Sequence, residues 1–95
     1  MGAAIALTAA IYLHITRKKV SRGAIEWAVS KAFEEFDEEI YIDEYEDDLE
    51  LIGLMVAERA VYKLLGRNAK KKRNEVRSFV DSLEEMMMAV IRHGP

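Results

Sequence analysis

Residues 47–66, DDLELIGLMVAERAVYKLLG, put apolar side chains on every side of a helix, and the rest of the chain must be arranged around them. At roughly 100° per residue from Glu50, the breaks at Gly53, Glu58, Arg59 and Lys63 scatter around the whole circumference instead of gathering on one face. Such a helix is buried on most sides or lies in a membrane. Crossing a bilayer takes about 20 consecutive apolar residues, and Glu50, Glu58, Arg59 and Lys63 interrupt this run, so a central core helix is the better fit. Gly53, Ala57 and Ala60 share one side, which lets a neighbouring backbone come close. Asp47 and Glu50 have capping-box spacing at its start, and Gly66 after Leu65 supplies its stop.

A chain of 95 residues makes one domain, residues 1–95, small enough that a partner subunit matters to its stability. About half its residues are apolar and a third charged, the balance of a globular chain and not of a disordered one. It has no cysteine, which removes disulfides, thiolate metal sites and cysteine nucleophiles and is compatible with a cytoplasmic location. Its one proline is Pro95, so nothing breaks a helix between the termini, and the abundance of Leu, Ala, Met, Glu, Lys and Arg predicts an all-α fold.

The net charge of −3 averages over blocks of opposite sign. Arg17, Lys18, Lys19 and Arg22 form one basic block, and Arg67, Lys70, Lys71, Lys72 and Arg73 form another. Between them, residues 34–50 are acidic with no base among them.

The remaining helices follow from periodicity. Residues 2–16, GAAIALTAAIYLHIT, are almost wholly apolar, but the positive charge follows the run where a signal peptide carries it before. A helix of this length reaches about 22 Å, short of the ~30 Å hydrocarbon core, so burial in protein is favoured over a membrane anchor. Ser21 is an N-cap candidate for the next helix, in which Ile25, Ala28, Val29, Ala32, Phe33, Phe36 and Ile40 share one face. Trp27 points away from that face. Ile40, Tyr41 and Ile42 favour extended structure, so a turn is expected near residues 41–45; the alternative is one helix running straight through. After Gly66, basic residues in a first helical turn would oppose the helix dipole, so the last helix is expected from about Asn74. Its stripe comprises Val76, Phe79, Val80, Leu83, Met86, Met87, Val90 and Ile91, with Met88 outside it.

No catalytic constellation emerges. His14 and His93 lack a glutamate three or four residues before them, so the ligand pattern of di-iron bundles is missing. The serines sit in capping or helix-surface contexts and the glycines are isolated, which excludes a nucleophile elbow and a phosphate loop. Glu35 with Glu38, and Glu44 with Asp47, form three-apart carboxylate pairs loosely similar to those of helical nucleotide pyrophosphatases, too loosely to transfer any role. An EF-hand loop starting at Asp37 or Asp43 lacks its glycine. Residues 20–29, VSRGAIEWAV, resemble the start of a helix-turn-helix recognition helix, but the preceding Lys18 and Lys19 are charged where that motif needs a buried leucine and a glycine.

These observations predict an antiparallel four-helix bundle-like domain with helices near 3–16, 21–40, 45–66 and 74–92, both basic blocks at one end and the acidic connection at the other. The expected function is non-enzymatic: a small helical protein acting through self-association, a dimer first, and through docking an unidentified protein. No cofactor or metal is expected. Trp27, Met88, Tyr12 and Gly53 are the expected interface positions. The second reading is nucleic-acid binding through the basic end, residues 17–22 and 67–73; the third is a membrane-anchored protein held by residues 2–16.

Overall fold

The computed structural model describes the backbone of residues 2–39 and 49–93, and within these spans every regular element is helical. The elements are α1 (Gly2–Thr16), α2 (Arg22–Glu39), α3 (Leu49–Leu65) and α4 (Ala69–His93), with a single 3₁₀ turn, Gly66–Asn68, between the last two. The capping box at Asp47 and the turn expected near 41–45 fall outside the described residues.

Local chemistry sets the helix ends. Arg17, at φ 60°, closes α1 by giving its N–H to the Leu13 carbonyl at 2.8 Å. The Ser21 hydroxyl accepts the Ala24 N–H at 3.2 Å, so α2 begins on the cap that the sequence offers. Gly66, at φ 55°, turns the chain in the left-handed region that glycine tolerates without a Cβ clash.

The start of α4 corrects the sequence-based boundary: it lies at Ala69, not near Asn74. Lys70, Lys71, Lys72 and Arg73 therefore occupy the first turns of a helix. Opposing the macrodipole at exposed positions costs only about 0.3–1 kcal/mol per charge, and water screens it. Three compensations are in place: Ala69 packs on the core, Lys72 pairs with Glu75 at 3.6 Å, and the segment is rich in helix formers.

Of the helix pairs, α1 and α3 share the most extensive contact. They run parallel, with Gly53 against Ala3 and Ala4 at one end and Ile15 joining Leu65 in one cluster at the other. Two stripes on α3 divide the core. Ile52, Val56 and Ala60 face α2 and meet Ile25, Ala28, Val29, Ala32 and Phe36, with Ala4 from α1. Leu54, Ala57, Val61 and Leu65 face α4 and meet Val76 and Val80, with Ile11 and Ile15 from α1. The central helix read from residues 47–66 is thus in place, held between α2 and α4 and against α1.

Polar breaks in α3 tie it to its flanks. Lys63 donates to Glu35 on α2, which also lies 3.9 Å from Arg59, and Glu58 accepts Arg77 of α4 at 3.1 Å. Thr8, fully buried in α1, gives its hydroxyl to the Ala4 carbonyl at 2.6 Å, which satisfies the one polar side chain on that buried face.

Contact with protein holds α1 along Ala4, Thr8, Ile11 and Ile15. Among the described residues no helix is long and apolar enough to cross a membrane. On the other side of α1, Ala3, Ala6, Ala10 and Leu13 are exposed.

Candidate interaction surfaces

Three surfaces present chemistry to the outside. The first is the basic end. The connections after α1 and after α3 lie at the same end, and Arg17 lines one shallow cleft with Asn74 and Glu75. Arg22 pairs with Glu26 at 2.9 Å, and Lys72 with Glu75. No ion pair within the described residues occupies Arg17, Lys18, Lys19, Arg67, Lys70, Lys71 or Arg73. All of these are exposed. The acidic connection expected to cap the opposite end falls outside the described residues.

The second surface is a groove of about 420 Å³ floored by α3 and walled by α2 and α4, lined by Phe36, Leu51, Met55, Glu58, Val80 and Glu84 among others. Met55 is 45% exposed there. Close by, burial and then the neighbouring Glu58 carboxylate raise the Tyr62 phenol above its ordinary value. The hydrogen bond to Glu58 is the main cause that raises the Arg77 guanidinium.

The third surface is shared by α1 and α4. The His14 and Phe79 rings stack across it, centroids 4.2 Å apart and 18° from parallel. On the α1 side, Ala3, Ala6, Ala10 and Leu13 are exposed. On the α4 side Ser78, Ser82, Met86, Ala89 and Val90 are exposed, Met86 at 65% and Val90 at 69%. Stepping at roughly 100° per residue, the charged Asp81 and Glu84 fall on other sides of α4, and Glu85 borders the face beside Ser78 and Ala89. With no Asp, Glu, Lys or Arg between Gly2 and Thr16, the strip where the Met86–Val90 row meets α1 carries no charge from the stack to Val90.

The Glu58–Arg77 pair sets the register of the antiparallel α3/α4 hairpin, which brings Met86 level with Leu49, the first residue of α3.

The four positions expected at an interface are differently placed. Trp27 is 57% exposed on the outer side of α2, not covered by α1. Met88 is half-buried. Tyr12 is half-buried against the α4-side cluster, and Gly53 faces Ala3 and Ala4 of the same chain, so both serve packing within the subunit. Sequence reasoning missed Met86, Val90, Leu13 and the alanine row. Its signal was the spacing of Ala3, Ala6, Ala10 and Leu13, three and four apart, with no charge among them.

Among the described residues no group of three or more His, Asp or Glu is placed to hold a metal ion. No known protein family, curated protein or solved structure matches this chain.

Proposed function

We propose that this chain is a non-enzymatic helical module that works by self-association and by docking a partner protein. One observation carries the reading. The two core clusters already satisfy the interior, yet Leu13, Trp27, Met55, Met86 and Val90 remain in water at 44–69% exposure. Leu13, Met86 and Val90 share the α1/α4 face, and large apolar side chains gathered on a face, unlike single scattered ones, mark interaction surfaces. Trp27, the only tryptophan, stands apart on α2 and suits an anchor for a partner protein. Light scattering from about 1 to about 500 μM tests self-association, the range in which a modest interface of this kind assembles. A mass rising above 10.9 kDa supports the reading. A constant 10.9 kDa over the whole range overturns its self-association part.

A second reading, polyanion binding at the basic end, is favoured by the convergence of both basic blocks and by the cations there that form no ion pair among the described residues. Binding follows the local patch, so the net charge of −3 does not forbid it. Its test is fluorescence anisotropy with mixed-sequence RNA and DNA, in which affinity should fall steeply with salt. Reversing Lys70, Lys71 and Lys72 to glutamate should abolish binding; unchanged binding removes this reading.

A further inference from the structure

We infer that the uncharged α1/α4 face pairs with the same face of a second copy, α4 of each chain lying on α1 of the other. The inference rests on the self-association reading above and names its surface and geometry.

The face is built from one raised row and one low row. On α4 the exposed Met86 and Val90 stand up as a ridge; on α1 the exposed Ala3, Ala6 and Ala10 leave a furrow. The His14–Phe79 stack sets the level of the two antiparallel helices, which brings Met86 level with Leu7 and Val90 level with Ala3. Ridge and furrow therefore lie side by side over the same stretch. A two-fold axis running between the copies, parallel to the helices, keeps these levels and exchanges the rows. Each Met86–Val90 ridge then meets the Ala3–Ala6–Ala10 furrow of the other copy, the self-complementarity that a closed two-fold dimer requires.

Charge and size both select this occupant. Between the Met86–Val90 row and α1 there is no charged group, and Glu85 lies only at the rim, so an ionic partner has little to recognise and no like charges are brought together at the centre when two copies pair. From the stack to Val90 the shared length is roughly 17 Å and two helices are roughly 20 Å wide, which corresponds to an interface on the order of 1,000 Å² in total. That is the lower bound for a specific pair, so the dimer should be reversible, with a Kd of tens of micromolar, an order-of-magnitude expectation.

The test is sedimentation equilibrium of the full chain at low and high salt. Wild type should dimerise with a Kd that changes less than about threefold between 0.05 and 0.5 M NaCl, because no ion pair forms across the face. Ala6→Glu and Met86→Glu alter exposed side chains only and should each weaken the dimer at least tenfold, while Trp27→Ala and Met55→Ser should leave it unchanged. In this cysteine-free chain, Ala6→Cys mixed with Met86→Cys should cross-link under oxidation, and neither alone. A wild type that stays monomeric fails both this inference and self-association. A dimer that survives both glutamate variants fails this inference alone and leaves self-association standing. Self-cross-linking of Ala6→Cys, or binding of the monomer to neutral phosphatidylcholine vesicles through this face, also overturns it.

Discussion

Both α2 and α4 are amphipathic helices laid against the same α1/α3 pair, yet among the described residues the α2 row is the better hidden. Ile25, Ala28, Val29, Ala32 and Phe36 are each at most 6% exposed. On α4, Val76 and Val80 are sealed as tightly, Leu83 and Met87 are half-buried, and Met86 and Val90 are open to water. The sequence patterns of the two helices are alike, but α2 shares a more extensive contact with α3 than α4 does. An apolar stripe shows which face seeks a partner; only the packing of the neighbours shows whether one is supplied within the chain.

Paired deletions test this contrast most strongly. Phe36→Ala should cost about 3–5 kcal/mol in chemical denaturation, because it opens a cavity in a fully buried site. Val90→Ala, at a concentration too low for association, should change stability by less than about 0.5 kcal/mol. Equal costs would mean that Val90 is covered after all, and the contrast would be lost.

Gly66 is the hinge that sets α4 on its course. A Cβ there meets nothing within 4 Å, so Gly66→Ala isolates the backbone cost of φ 55°, about 1–2 kcal/mol by urea titration. Gly53→Ala should go the other way. Its Cβ would lie 3.8 Å from the Ala3 Cβ and 3.9 Å from the Ala4 nitrogen, ordinary contact, so α3 should gain up to about 1 kcal/mol of helix propensity. A loss there would show that α1 and α3 need to approach still more closely.

The smallest effect concerns pH on the α4 side. The Tyr62 pKa is raised in the folded state, first by burial and then by Glu58, so the fold retains that proton more firmly than the unfolded chain does. Its stabilising contribution is complete below the unfolded value near 10 and is lost as pH rises through the folded value. Urea midpoints at pH 9 and 11 should therefore fall less in Tyr62→Phe than in wild type.

Much of the fold was legible in the residues. The scattered polar breaks of α3 announced a helix enclosed by neighbours, and Ser21 announced the start of α2. Dipole reasoning at Lys70–Arg73 delayed α4 by five residues, because it weighed a small screened cost above the helix-forming run AKKKRNEVRSF that follows Gly66. The exposed apolar face was harder to see. Periodicity ranked Tyr12 and Gly53 as candidates without showing that the chain uses both internally, and it grouped Met86 and Val90 with core positions because hydropathy does not record which positions a neighbouring helix covers. The stacking of His14 on Phe79 depends on how two distant helices meet, which no local pattern encodes.

The absence of Asp, Glu, Lys and Arg from α1 has a thermal consequence. Glu35–Lys63 and Glu58–Arg77 fasten α2 and α4 to α3 with attractions that cooling does not remove, whereas α1 is docked by apolar contact alone. Apolar attraction weakens as temperature falls. On chilling, α1 should therefore loosen first, its amides exchanging with solvent before those of α3, so that the helix in most extensive contact with α3 when warm becomes the least secure when cold.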